Sequence, residues 1–309
     1  MSKTKKIILI AVAAVVVLAT VLTIVLIPDT DKIYDELNEK AKPSVVADFE
    51  EKAEDAIRIM SFNVRCFGLE NLPRKAREYA VAETIRKGIP DSFGVQEATP
   101  TWMKYLNKEI GDKYAYVGVG RTNGKNSGEY SAVFYLKDKY NLIDSDTFWF
   151  SETPEKPSKG WDASLNRICT WAVLEDKETG EKYVHINAHF DHIGEEARRN
   201  SVDMVIEKAK EYGDLPVVFT ADMNIVEGTE IYERMVSDGT LKDTKYTAED
   251  TMNYLTFHNL NPSENEGRIL DYIMVNDNFD AEVYKVVTAG VDGRFVSDHY
   301  PLYADVLIK

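Results

Sequence analysis

From Ile57 onward the chain repeats a pattern that few folds accept: short apolar runs of strand length, several ending in a carboxylate, an amide or a histidine, with helical segments at intervals. "AIRIMSFNVRCF" is the first such run, and "SFGVQE" is the second. Between them, Pro73 to Lys87 has helical spacing with proline at its start. Thr99-Pro100 supplies an N-cap and a first-position proline for the helix "TWMKYLNKEI". There follow "YAYVGVG", "YSAVFYL", "TFWF", "RICTWAVLE" and "KYVHINAHF", a helix from about Glu195 to Tyr212, then "LPVVFTADMN", "RILDYIMV" and "HYPLYADVLI". Helices set at intervals among so many strands predict an α/β (α+β) domain with mixed sheets inside and helices outside. Strand-end loops are then the natural place for a site.

The segment before this domain has a different character. Residues 7–27 carry no charge, and a helix of that length covers the roughly 30 Å hydrocarbon core of a bilayer. The expected reading is one N-terminal transmembrane helix rather than a cleaved signal peptide, since no A-x-A site follows. Lys3, Lys5 and Lys6 precede it, so residues 1–6 are expected in the cytoplasm and the rest outside the cell membrane, as a single-pass protein. Residues 28–56 hold ten acidic and four basic residues and are expected to be a solvated linker or stalk. Residues 57–309 are then one catalytic domain, with no internal repeat or linker to divide it and with a monomer expected. The two cysteines, Cys66 and Cys169, fall in apolar runs and are expected to be buried thiols.

Asn63, Glu97, His189, Asp222, Asn224 and Asp271 lie at or in apolar runs, and Asp298-His299 precede the last one. Any one of them is most simply a turn or helix cap, but the full set is hard to assign to caps. Glu97, Asp222, Asn224 and Asp298 offer oxygen ligands suited to a hard cation such as Mg²⁺ or Mn²⁺. Histidines beside such a cluster are what phosphoester hydrolysis needs to move protons.

"MSFNVRCFG", "GVQEA", "INAHFDH", "FTADMN", "ILDYIMV" and "VSDHYPLYADV" occur in an order and spacing that resemble the endonuclease/exonuclease/phosphatase superfamily, from about Ile57 to the C-terminus. That superfamily includes deoxyribonuclease I, abasic-site endonucleases, bacterial sphingomyelinases and inositol polyphosphate phosphatases. The resemblance implies a four-layer sandwich, two mixed β-sheets with helices on both outer faces, and divalent-metal-dependent hydrolysis of a phosphoester. It further implies Asn63, Glu97 and Asp298 at the metal, Asp222 and Asn224 on the water and the scissile phosphate, and His299 oriented by Asp271. "GRTNGKNSGEYSAVFY" resembles the deoxyribonuclease segment whose Glu pairs with the other catalytic histidine, so Glu129 would partner His189. His299 is assigned as general base and His189 as general acid, with Asp222 a rival base.

Arg65 shares a strand face with Asn63 by period-two alternation, and with Arg167 it is a candidate phosphate contact. Ala221 stands where the family's G-D-x-N motif has Gly, an exchange tolerated unless φ there is positive. Lys159, Trp161 and Asp162 are either substrate-loop residues or a structural loop.

The net charge of −15 and the uncharged Ala98, Thr99 and Pro100 after Gln-Glu argue against duplex nucleic acid. "NAHFDH" fills three of the four positions of a zinc H-x-H-x-D-H motif but has Asn187 at the first, and five histidines furnish two zinc sites poorly. "GRTNGKN" fails the glycine spacing of a phosphate loop. The expected activity is a phosphodiesterase acting outside the membrane. The alternatives are an extracellular nuclease of the same superfamily and a catalytically silent anchored binding protein.

Overall fold

The computed structural model describes residues 29–40, 42–68, 72–260 and 267–309. The predicted span over 7–27 lies outside them, and among the described residues no helix is long and apolar enough to cross a membrane.

Two mixed sheets form the centre. In the first, the order is β10 (Asp250–Thr251), β12 (Phe279–Val286), β13 (Leu302–Ile308), β1 (Ile57–Asn63), β2 (Ser92–Gln96), β4 (Val133–Leu136) and β3 (Tyr114–Val117). In the second it is β5 (Tyr140–Trp149), β6 (Ile168–Asp176), β7 (Lys182–His189), β8 (Val217–Asp222), β11 (Asp271–Val275) and β9 (Lys242–Asp243). Parallel pairs, β1 with β2 and β7 with β8, sit among antiparallel ones. Helices α2 (Arg74–Gly88) and α3 (Pro100–Ile110) cover the first sheet through Val81, Ile85, Trp102 and Leu106. On the second sheet, α4 (Glu195–Glu211) and α5 (Glu230–Ser237) pack through Val202, Val205, Ile231 and Met235. Between the sheets, Ile57, Ile59, Leu302 and Ala304 meet Leu174, Val218, Ile273 and Val275. These layers, helix on sheet on sheet on helix, are the predicted sandwich.

The Thr99 hydroxyl accepts from Trp102 N with Pro100 opening α3, as expected. Cys66 and Cys169 are buried free thiols. β12 and α5 were not legible in advance. The first alternates apolar residues with Asp280, Glu282 and Lys285 and looks solvated, and the second is too short to display a period.

The acidic linker expected over 28–56 is not a solvated tether where it is described. Helix α1 (Thr30–Lys40) buries Tyr34 and Leu37 against Leu72 and Phe295, and Asp31 pairs with Arg294 at 3.2 Å. The chain then runs along the first sheet. Ala47 N donates to Thr288 Oγ1 at 2.8 Å, the Phe49 ring meets Tyr303, and the Glu50 carbonyl accepts from Arg58. The folded unit therefore begins before Ile57. Its docking residues are isolated apolar side chains among charges, which is why composition alone points to solvent.

The sheets approach closely at Gly94. A Cβ there would lie 2.3 Å from both Asn187 Oδ1 and Thr220 Oγ1 across the interface. Asn187 is the hub: its Oδ1 accepts from Gln96 Nε2 and Thr220 Oγ1, and its Nδ2 donates to the Val95 and Ala132 carbonyls. Gly94→Ala is expected to destabilise the fold by about 1–3 kcal/mol through overpacking, read as a lowered urea midpoint at unchanged slope.

Candidate active site

Strand periodicity builds the site. In β7, β8 and β11 the residues facing the outer core, such as Ile186, Phe219 and Met274, alternate with those facing the other sheet. His189, Asp222 and Asp271 occupy the final inter-sheet positions at one end, where Asp222 is registered against both His189 and Asp271. Asn63 takes the equivalent place on β1, opposite Gln96 of β2. The loop from β12 to β13 brings Asp298 and His299 to the same end, because Leu302 pairs with Ser61 near the finish of β1.

Three site residues adopt left-handed backbone despite bearing side chains: Arg65 (φ 55°), Glu97 (φ 60°) and Asn224 (φ 50°). Such conformations cost about 1–3 kcal/mol each and persist where the surroundings over-determine them. At Arg65 the surroundings are Arg77, fully buried on α2, whose guanidinium donates to the carbonyls of Val64, Arg65, Phe67 and Val296. Trp102 Nε1 donates to the Arg65 carbonyl as well. Ala221 has no positive φ, so alanine for glycine carries no backbone strain there.

The carboxylates converge. Asn63 Nδ2 donates to Asp222 Oδ2 at 2.8 Å and to Glu97 Oε1 at 3.2 Å, while its Oδ1 accepts from Arg65 N. Asn63 thus links the two acids as a donor. Glu97 Oε2 accepts from Cys66 N at 2.9 Å. Burial would raise the Glu97 carboxyl, but that backbone N–H, with the charges of His299 and Arg65, holds it below its ordinary value. Asp222 Oδ1 accepts from Asn224 N, and its Oδ2 lies 3.4 Å from His189 Nε2 and 3.8 Å from His299 Nε2. Burial first, then Asp271 beside it, pushes the Asp222 carboxyl up to about 7.

The two histidines differ in charge. His299 donates from Nδ1 to Asp271 Oδ2 at 2.8 Å. Burial alone would lower this imidazole, but Asp271, Asp222 and Asp298 together raise it to about 10. Near neutrality these carboxylates favour the imidazolium, which would donate a proton rather than accept one, opposite to the general-base role expected of it. His189 is pushed well below its ordinary value by burial, then by Arg167 and Arg121. Its Nε2 accepts from Asn224 Nδ2 at 3.2 Å, so it is neutral with its proton on Nδ1. In the metal-free protein, the His299 imidazole is expected to stay protonated until the pH rises through about 10. Asp271→Asn should bring that midpoint down, measured by ¹⁵N chemical-shift titration.

Other expected placements change. Glu129 pairs with Arg121 at 2.8 Å and not with His189, on a hairpin that returns beside Ala98. Asp298 meets Arg65 Nη1 at 3.0 Å, so its carboxylate is engaged by a cation and lies outside the tight ligand-range groups described next. Arg167 is buried, with Nε on Asp191 and Nη2 on His192, yet its Nη1 has no partner among the described residues. Asp191 proves structural: it also accepts the backbone N–H groups of Ser164, Ile193 and Gly194. Asp162 is structural too, since it receives Glu196 N and Ala197 N at the start of α4, and Trp161 packs on the second sheet's core.

Arg77 and Asn187 were missed by sequence reasoning. Arg77 falls in the i, i+4, i+8 stripe with Val81 and Ile85, and a charge on the buried face of a helix was the available signal.

Ligand atoms of Glu97, His189 and Asp222 lie within 4.8 Å of one another, as do those of Asp222, Asp271 and His299. Among the described residues, a buried Asp271 oxygen is also left without a partner. Acidic groups forced together in this way fit a divalent cation, which would relieve their repulsion.

The profile of the endonuclease/exonuclease/phosphatase family matches residues 60–299, and the chain belongs to that family. A family protein from Bacteroides vulgatus is 34% identical, with 82% of this chain and 99% of that one superposed at a TM-score of 0.78. A mannosyl-6-phosphatase from Bacteroides thetaiotaomicron VPI-5482 is 35% identical over 82% of this chain and all of its own, at a TM-score of 0.76. A curated relative, an uncharacterised protein of Acanthamoeba polyphaga mimivirus, is 27% identical over 172 residues, half of this chain, and the match spans 61% of that protein. The family is one of phosphoester hydrolases that use divalent metals, and this chain is a hydrolase of that superfamily.

Proposed function

We propose that the protein is a Mg²⁺- or Mn²⁺-dependent phosphoester hydrolase held at the outer face of the cell membrane. The observation that carries the reading is Asp222 pinned between a neutral and a charged histidine, with Glu97 in ligand range. Glu97 is the residue that would hold the ion, which supplies Lewis-acid charge to the phosphoryl oxygens. Asp222 is assigned the proton of the attacking water, since a carboxyl near neutrality suits general-base work and both its oxygens are fixed by Asn63 and Asn224. The His299 imidazolium is placed to donate toward developing charge on the phosphoryl group or the leaving oxygen. Arg65 Nε and Arg167 Nη1, buried without partners among the described residues, are donors available to the phosphate.

The sequence favours a phosphodiester. A phosphomonoester is the second reading, supported by the 35%-identical mannosyl-6-phosphatase, whose whole length aligns. Membrane placement rests on the uncharged run over 7–27 and its preceding lysines. Only Pro28 and Asp29 would separate that span from α1, so the domain would sit close to the bilayer. Hydrolysis of bis-p-nitrophenyl phosphate and p-nitrophenyl phosphate, with EDTA and then with added Mg²⁺ or Mn²⁺, tests the reading and orders the two esters. Metal-restored turnover is expected. No turnover on either ester would favour the silent binding protein, and strict zinc dependence would revive the zinc-site alternative.

A further inference from the structure

Beside the catalytic cluster opens a hollow of about 330 Å³, near the lower end of the roughly 300–1,000 Å³ usual for small-ligand sites, room for one ring rather than a chain of them. Arg121, Glu129, Lys159, Ser164 and Asn166 line it, together with Thr99. It adjoins the site on two sides. Tyr130 N donates to the Ala98 carbonyl, which sets Glu129 beside the Glu97 turn. The opposite wall hangs from Asp191, which holds the N–H groups of Ser164 and Leu165 and also the Arg167 guanidinium. A larger hollow of about 670 Å³, lined by Asn123, Asp146 and Trp149, includes neither Thr99 and Pro100, next to Glu97, nor the Ser164–Asn166 wall.

The chemistry of the smaller hollow is specific. Its centre is the Arg121–Glu129 pair at 2.8 Å, with side chains only 12% and 17% exposed. The backbone that carries the pair is fixed, since Arg121 N donates to the Glu129 carbonyl and the Arg121 carbonyl accepts from Trp149 Nε1 at 2.7 Å. A guanidinium beside a carboxylate offers donors and acceptors at hydroxyl spacing, and each hydroxyl of a diol uses one of each. None of the lining residues is aromatic, so there is no face on which a nucleobase would stack, and Leu165 and Pro100 are its main apolar members.

We infer that this hollow binds the alcohol portion of the substrate, and that the alcohol is a polyol such as a hexose, recognised by Arg121, Glu129 and Asn166. The inference rests on the phosphoester-hydrolase reading and gives Glu129 a binding role in place of the histidine partnership expected from sequence. The test uses the full-length chain in detergent with Mg²⁺ or Mn²⁺. It compares kcat/KM for mannose 6-phosphate and glucose 6-phosphate with that for p-nitrophenyl phosphate, in wild type, Glu129→Gln and Asn166→Ala. Each variant is expected to lower the sugar-to-aryl ratio at least tenfold. Saturation-transfer NMR of the ring protons of mannose 6-phosphate should give signals with wild type that Glu129→Gln loses, whatever the turnover. An active enzyme whose ratio does not move, or which prefers nucleotides, overturns the polyol assignment alone. Ring-proton contacts without any hydrolysis leave the pocket standing and remove the catalytic reading. If neither contacts nor hydrolysis are seen, both fall.

Discussion

Glu97→Ala is expected to lower kcat/KM for phosphoester hydrolysis about a thousandfold, roughly 4 kcal/mol of transition-state stabilisation. The size follows from what Glu97 does. It is the carboxylate held below its ordinary value by the Cys66 N–H, so it stays charged, and it faces Asp222 and His189 at ligand distance. Alanine at φ 60° would also lose the hydrogen bonds that fix this turn, so a folding defect has to be separated from a catalytic one. Glu97→Gln does this, because the amide oxygen can still accept from Cys66 N while the charge is gone. The same large loss is expected in Glu97→Gln with an unchanged circular dichroism melt. Near-wild-type turnover in the glutamine variant would remove Glu97 from the ion.

Asp222→Asn should reduce kcat by about 10²–10⁴ with a smaller change in KM, the range expected when a positioned proton acceptor is lost. Asparagine keeps the size of the side chain and can still accept from Asn224 N. What disappears is the carboxylate that burial and Asp271 push up to about 7. The acid limb of the wild-type pH–rate profile should follow this group, with activity rising as the pH passes through its midpoint and it loses its proton. That limb should be absent from the residual activity of Asp222→Asn. A variant with full kcat and an unaltered limb would assign the proton elsewhere, with neutral His189 the next acceptor to examine. His189→Ala is also expected to abolish most turnover, since its Nε2 orients Asn224 as well as facing Asp222.

Much of the site was legible because a strand has a period of two. Once His189, Asp222 and Asp271 are seen at the ends of apolar runs, their convergence follows from register, and the structure pairs Asp222 with both neighbours. The ordered motifs carried the layer arrangement equally well. What could not be read depends on partners that no local pattern encodes. Glu129 lies on a loop whose return path decides between Arg121 and His189, and the loop chose Arg121. The orientation of Asn63 is set by two acids distant in sequence, and the charge on His299 by burial set against three carboxylates. The docking of α1 depends on isolated contacts, Tyr34 and Leu37 on Phe295, that composition reads as a solvated stalk.

The central claim is that these residues assemble around one divalent ion, and the direct test is anomalous diffraction from crystals soaked in Mn²⁺, wild type beside Glu97→Gln. The account predicts a manganese peak at the Glu97 carboxylate, between Asp222 and the β12–β13 loop, and its loss in the variant. A peak that survives the substitution, or manganese bound only elsewhere on the protein, would contradict it.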